Sequence, residues 1–361
     1  MTRFPQDPLP ALRRRGLLLG GAALAAPFAA PGVLRGQPAG EVIVRTPGGV
    51  YDDVMRKHVY DAFTRETGIR VTPVAATVAR LLAMFRANNV ELDLIDTGDS
   101  PLVTLDRMGA LAPVAYDQWR WTDPNDIVPE VRKPTRVANF VYASVLAYNT
   151  ESFPNGTHPK SWAEFWDAGR FPGPRMLADM ASGQPNLEFA LLADGVAKEN
   201  LYPLDLDRAF RSLSRIRPQI RKFWDTGALS AQMLSDKEVV LGSVWNGRVQ
   251  TIIDRGAPLG IEWNQHMIQV QALAVFKGAR NAANAQKLID FMLQPAVQAG
   301  YARELIYGPT NTRSFALLPA EQVARMPGSP RSREIGFFTN IDWWEDNRDR
   351  INRTWSRWVL G

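Results

Sequence analysis

Trp245-Asn246-Gly247-Arg248 is the segment whose side chains lend themselves most directly to ligand chemistry. An indole can stack on an alkyl chain, an ammonium or a planar acid, and the Arg248 guanidinium offers a forked donor to a carboxylate. Two more turns have a suitable composition. Thr46-Pro47-Gly48-Gly49 sets paired glycines ahead of Tyr51, and backbone without Cβ lets N–H groups approach a ligand closely. Asp96-Thr97-Gly98-Asp99-Ser100 holds two carboxylates three residues apart. That spacing is open to acid/base work or cation binding, but it is equally that of turn and helix-capping residues, which is the reading it favours.

The signatures of catalysis are missing from the sequence. A Ser/His/Asp triad would have to use His58, His158 or His266, and no serine stands in a G-x-S-x-G elbow. H-E-x-x-H, G-x-x-x-x-G-K and a strand-linked G-x-G-x-x-G are likewise missing. The chain has no cysteine, which removes disulfides, thiolate zinc sites, iron–sulfur clusters and a lipidated cysteine. The expectation is a non-enzymatic protein without cofactor or metal; the rival is a secreted enzyme of unrecognised type.

The elements that must position these turns read as α/β. Short β-branched or alternating runs at Val42 to Arg45, Leu92 to Ile95, Val141 to Tyr148, Val239 to Trp245 and Leu273 to Phe276 predict strands between helical stretches. Val54, Met55, Val59 and Phe63 recur at helical spacing, with Gly68 as a stop; a later helix runs from Ala283 to about Met292 and ends before Pro295. Ser161-Trp162-Ala163-Glu164-Phe165-Trp166 fits a helical core stripe. Each of the three turns follows a predicted strand. There the carboxyl ends of strands and the N-termini of helices converge, which is where open α/β sheets bind ligands.

At 361 residues the chain exceeds a single hydrophobic core, so two lobes are expected. With 45% hydrophobic and 22% charged residues it carries no compositional signal for disorder. Arg13-Arg14-Arg15 precede an uncharged Leu/Ala/Gly stretch, Gly16 to Ala30, too short and too proline-broken to span a bilayer. Residues 1–37 therefore predict a twin-arginine-type export signal, cleaved between about residues 30 and 40. They carry five arginines against Asp7, so only +1 of the formal net charge of +5 remains on the rest of the chain. Interleaved charges on a nearly neutral chain argue against nucleic-acid binding.

Leu241-Gly242-Ser243-Val244-Trp245-Asn246-Gly247, then Leu273-Ala274-Val275, Ala285-Gln286-Lys287-Leu288-Ile289-Asp290-Phe291-Met292-Leu293-Gln294-Pro295 and Tyr307-Gly308-Pro309-Thr310-Asn311 form an ordered series. In order and spacing they resemble the periplasmic spermidine/putrescine-binding proteins of ABC importers, extracellular solute-binding family 1. Gly48-Gly49-Val50-Tyr51, Phe63 to Ile69, Ser161-Trp162 and Trp343 to Arg348 are similar to the same group. The resemblance covers nearly the whole chain after the export segment. It implies the type II periplasmic binding protein fold, two α/β lobes with mostly parallel sheets joined by a hinge, and a ligand cleft between them. The lobes implied are 41–144 with 269–309, and 145–268 with 310–361. The crossings would fall near Ala143 to Asn149, His266 to Gln271 and Pro309 to Arg313.

Carried over position by position, the resemblance implies that Trp245 stacks on the ligand and that Tyr307 lines the cleft. The loops holding Gly48, Gly49 and Tyr51, and Asp96, Thr97, Gly98 and Ser100, would touch ligand, and Asp342 would fall at a polar cleft position. Two departures stand out. Polyamine binders have a tryptophan and an aspartate where this chain has Gln269 and Gln271, and their acidic pair in the second lobe has no clear match around Asp179 to Glu188. A buried ammonium without a carboxylate partner costs several kcal/mol. Arg248 adds the opposite charge, so a polyamine and a small amino or organic acid stand level as ligands. Ferric-ion binding is disfavoured because the tyrosines are scattered. The implied role is that of an exported, periplasmic, monomeric receptor that captures a small solute and hands it to an inner-membrane permease.

Overall fold

The computed structural model describes residues 40–361. The expected export signal at 1–37 lies outside the described residues.

β1 (Glu41–Thr46) buries Val42, Val44 and Thr46 on one face and pairs in parallel with β2 (Arg70–Ala75) and β3 (Leu94–Gly98). Between β1 and β2, α1 (Val50–Met55) passes through a π-helical turn at Arg56–Tyr60 into α2 (Asp61–Thr67). This helix buries Val54, Met55, Val59 and Phe63, as their spacing predicts, and Gly68 ends it at φ 73°. α3 (Val78–Arg86) leads to β3, and α4 (Asp99–Arg107) follows β3 directly. β4 (Val137–Asn149) is the first of two long strands.

Past β4 the chain forms α5 (Trp162–Trp166), β5 (Arg175–Ala178), α6 (Leu187–Ala193), α7 (Leu206–Ile216) and β6 (Ile220–Trp224). α8 (Gly227–Ser235), β7 (Leu241–Trp245) and α9 (Asn246–Ile253) come next, and the second long strand, β8 (Leu259–Val275), returns along β4. α10 (Ala282–Met292), α11 (Pro295–Leu305), β9 (Gly308–Pro309), α12 (Ala320–Val323), α13 (Pro330–Ile335), β10 (Phe337–Phe338) and α14 (Ile341–Leu360) complete it.

The strands join in the order β2-β1-β3-β8-β4-β7-β5-β6, with β10 on β8 and β9 on β4. Pairing is parallel in each outer part and antiparallel where β8 meets β3 and β4, and where β4 meets β7 and β9. Helices cover both faces, giving two cores. In the first, Val42, Phe63, Leu288 and Tyr301 fill one side of the sheet and Leu81, Ile95, Leu102 and Phe276 the other. In the second, Trp162, Phe189 and Trp344 fill one side and Met176, Trp224 and Val249 the other.

β4 supplies Val137, Ala138 and Phe140 to the first core and Ala143, Val145 and Ala147 to the second. β8 supplies Leu259 and Met267 to the second and Leu273 and Val275 to the first. Both strands thus serve both cores. Leu318 and Met326 still pack in the first core, and Phe337 and α14 pack in the second. The apolar residues after Pro309 find their complement against α11, so the segment stays on that side. β8 is also longer than the Leu273 to Phe276 run. Its polar stretch at Glu262 to His266 has no strand signature: the ladder to β4 pairs Glu262 and resumes at Met267, and Gln265, in the unpaired stretch between them, takes φ 58°.

A buried polar cluster pins β3 to both long strands. Asp96 is fully buried; Tyr51 donates its hydroxyl to Oδ2, Asn139 Nδ2 donates to the same oxygen at 3.1 Å, and Gln271 Nε2 donates to Oδ1 at 2.8 Å. Tyr301 in turn donates to Asn139 Oδ1 at 2.9 Å. Burial pushes the Asp96 carboxyl up to about 6, against the pull of these donors and of Arg45. The fold thus favours the protonated form, and Asp96 contributes stability below about pH 4 that is lost as pH rises through about 6. His266 acts in the opposite sense. Burial pushes it down to about 4, while Nδ1 donates to Trp263 O at 2.6 Å and Nε2 accepts from Ser332 Oγ at 2.8 Å. Comparing thermal unfolding of the wild type with Asp96→Asn from about pH 4 to 7 isolates the carboxyl. The variant should gain up to about 3 kcal/mol relative to wild type as pH rises; a pH-independent difference would contradict the raised pKa.

Candidate functional site

Between the two cores lies a pocket of about 140 Å³. Its floor is the middle of the long strands, Tyr142 and Ser144 of β4 with Met267 to Val270 of β8. One wall is the β3–α4 junction, Gly98, Asp99 and Ser100; the facing wall carries Gly183, Gln184, Trp224 and Trp245, and Thr339, Ile341 and Arg348 close the rim. Gly98 starts α4 without a side-chain cap, so first-turn amides of the helix border the pocket beside Asp99.

Trp245 ends β7 and turns straight into α9. Its indole stands edge-on to Trp224, with centroids 5.3 Å apart, and to Tyr142 at 6.2 Å. A Cβ at Gly227 would lie 2.6 Å from Trp245 Cε3 and 3.0 Å from Arg248 Cγ; glycine there lets α8 close on the indole. The result is an aromatic surface for the aliphatic part of a guest.

Polar groups occupy the rest. Ser144 Oγ donates to Gln269 Oε1 at 2.9 Å, and Gln269 Nε2 donates to Gln184 Oε1 at 3.3 Å. Gln184 Nε2 and Thr339 Oγ1 are buried without a hydrogen-bond partner among the described residues. Leaving such a group unpaired costs about 1–3 kcal/mol.

Asp99 and Arg348 are the charged side chains lining the pocket, and each is compensated from behind. Asp99 Oδ1 accepts from Arg136 Nε at 2.5 Å; burial raises its pKa while Arg136 draws it back. Arg348 donates through Nε to both oxygens of Glu345, at 2.9 and 3.0 Å, through Nη2 to Ser100 Oγ at 3.1 Å, and through Nη1 to Gly183 O at 3.0 Å. Ser100 Oγ donates to Glu345 Oε1 at 2.6 Å.

These contacts continue along the face where α4 meets α14. Arg107 pairs with Asp346 at 2.6 Å and donates to Asp342 O at 3.1 Å, and Arg136 Nη2 reaches Asp342 Oδ1 at 3.1 Å. α4 belongs to the first core and α14, through Trp344, Ile351 and Trp355, to the second. The polar face is therefore a clasp between a helix of the first core and a helix of the second.

Of the residues singled out by sequence, Gly98, Ser100, Trp245 and Gln269 line the pocket and Thr97 immediately precedes it. The others lie elsewhere. Gly48 and Gly49, at φ 83° and 67°, open α1 outside the lining. Tyr51, Asp96 and Gln271 satisfy one another behind it. Arg248 is exposed on α9, and Tyr307 stacks on Phe140 with centroids 4.3 Å apart. Asp342 holds Arg136 in the clasp. Neither Asp96 nor Asp99 caps a helix by a side-chain bond. Asp179 and Glu188 face the second core, where Glu188 accepts from Trp344 Nε1 at 2.7 Å and from the Tyr202 hydroxyl at 2.5 Å.

Sequence reasoning gave no site role to Arg348, Gln184 or Tyr142. For Arg348 a signal existed: Trp344, Ile351 and Trp355 form a buried helical stripe, and Arg348, four residues after Trp344, is a charge set on that same face. Gln184 follows Ser182-Gly183 in a loop without periodicity and gave none.

The family model described as bacterial extracellular solute-binding protein matches residues 58–329, from the first helix to beyond β9. The gamma-aminobutyric acid-binding protein of Pseudomonas aeruginosa is 30% identical over 319 residues, covering 86% of this chain and 89% of that one. The spermidine/putrescine-binding periplasmic protein 1 of Haemophilus influenzae is 25% identical over 303 residues, 81% of each. Among solved structures, an ABC transporter substrate-binding protein from Bradyrhizobium japonicum superposes with a TM-score of 0.81 at 30% identity, over 88% of this chain and 99% of that one. Its α/β lobes are those of the type II periplasmic binding proteins, and the chain belongs to the bacterial extracellular solute-binding proteins.

Proposed function

We propose that this protein is the solute receptor of an ABC importer and that its solute is a small zwitterionic amino acid with separated amino and carboxyl groups. The observation that carries the ligand class is the pair of charged side chains on the pocket wall, Asp99 and Arg348, opposite in sign and each neutralised from behind by Arg136 and Glu345. Such a wall has no net charge to offer. A zwitterion brings none, with its ammonium toward Asp99, its carboxylate toward Arg348 and its methylenes on Trp245. Putrescine would bring two buried ammoniums to one already paired carboxylate, at a cost of several kcal/mol. The relative named for gamma-aminobutyric acid supports this class.

A thermal-shift and calorimetry panel of γ-aminobutyrate, β-alanine, putrescine and succinate on the protein from residue 40 onward tests it. Saturating zwitterion at 100 times Kd should add about 2.7 kcal/mol of stability and raise the melting temperature. A response to putrescine or succinate without one to the amino acids would overturn the assignment.

Residues 41–142 with 269–336 form one lobe and 143–268 with 341–361 the other, and the lobes close on the solute by bending at the long strands. The clasp between α4 and α14 then belongs to the closed form. Exposed ion pairs contribute about 0.2–1 kcal/mol each, so an Asp342→Ala/Asp346→Ala protein should release its amino acid roughly three- to tenfold faster, with a weaker salt dependence. Stopped-flow tryptophan fluorescence reads this directly; unchanged release would show that the clasp does not hold the closed form.

Residues 1–37 act as a twin-arginine export signal that delivers a monomeric receptor, without enzymatic or nucleic-acid-binding activity, to the periplasm and its permease. Intact mass of the periplasmic protein should show loss of about 30–40 residues, and sedimentation a single chain. A full-length mass, or a stable dimer, would count against it.

A further inference from the structure

Gln184 stands 8% exposed on the pocket wall and ends a short relay of side chains anchored on the two long strands. Ser144 on β4 donates to Gln269 on β8, which orients the Gln269 amide so that its Nε2 donates to Gln184 Oε1. That leaves Gln184 Nε2, buried and without a partner among the described residues, as the free end of the relay. The residue before it, Gly183, is fastened by its carbonyl to Arg348 Nη1 at 3.0 Å, so the loop is held from two sides.

We infer that Gln184 is a specificity-determining residue whose side-chain N–H awaits an acceptor oxygen of the solute carboxylate. The inference rests on the zwitterion assignment and deepens it. An amide N–H2 can only donate, so an ammonium cannot satisfy it and a carboxylate oxygen can. A site with a preset donor rejects analogues lacking the acceptor far more strongly than an apolar wall rejects a change of size, because the donor is then left unpaired. The relay matters because an amide already held in place loses little freedom when the solute arrives. An amine lacking the carboxylate would leave both Gln184 and the Arg348 end of the pocket unanswered.

The test uses Gln184→Met, which keeps the length and removes the donor, and Gln184→Glu, which keeps the shape and replaces the donor with a negative charge. γ-Aminobutyrate and β-alanine serve as zwitterionic probes, and putrescine as the amine. Calorimetry should show zwitterion affinity falling roughly tenfold in Gln184→Met and a hundredfold or more in Gln184→Glu. Ligand-free Gln184→Met should melt close to the wild-type temperature, since it removes one unpaired amide but strips Gln269 Nε2 of its acceptor, whereas ligand-free Gln184→Glu keeps that acceptor. Zwitterion binding within about threefold of wild type in Gln184→Glu would overturn the inference while leaving the zwitterion assignment standing. A large drop in the ligand-free melting temperature alongside the lost affinity would also overturn it, assigning Gln184 to the fold. Binding of putrescine alone by the wild type would overturn both.

Discussion

Antiparallel pairing of β4 with β8 is the constraint on which the remaining structure depends. One ladder, from Val137 opposite Leu273 to Asn149 opposite Leu259, carries apolar residues into both cores, so neither lobe can assemble its sheet without the strands that complete the other. The ladder slips register between Ala138 and Phe140 and again between Ser144 and Leu146. Those slips bracket Tyr142, Ala143 and Ser144, the stretch where the strands pass from one core to the other and where the pocket has its floor. Between the slips, Phe140 to Ser144 pair in unbroken register with Gln271 to Met267, so the floor is a short regular ladder set between two irregularities.

The pocket inherits its chemistry from that position. Ser144 and Gln269 lie on the hinge strands themselves, Asp99 and Ser100 come from the first helix after β3, and Trp224, Trp245 and Gln184 from the second core. A solute held by all three groups touches both lobes and the hinge at once. Its binding energy is then available to bias the angle between them. Charges near the opening are paired across the lobes, whereas Asp96, behind the lining, is satisfied entirely within its own side and serves to pin β3.

How far sequence could lead is visible in particular residues. Strand and helix periodicities placed β1, the helix through Phe63, β7 and α10 within a few residues, because each has a clean alternation or a one-sided apolar stripe. Trp245, an indole at a strand end beside Asn246 and Gly247, could be singled out from local sequence, and it lines the pocket. Asp96 and Tyr51 were drawn into the site because motif position says nothing about which way a side chain turns; in the fold they turn toward each other. The polar middle of β8 and the return of residues 312–326 to the first core were not legible, since both follow from long-range pairing rather than local pattern. Arg348 lies more than 240 residues from Ser100 in the chain and meets it only once α14 is docked.

α14 also sets a mechanical scale. It runs 20 residues without a break from Ile341 to Leu360, about 30 Å at the usual rise, with Trp344 and Trp355 burying it in one lobe. A rod anchored this way moves as part of that lobe, so a small rotation at the hinge becomes a displacement of ångströms at its remote tip. The last turn of α14 is thus a natural place to mount a reporter: a dye there would feel the lobe's swing while standing well clear of the pocket.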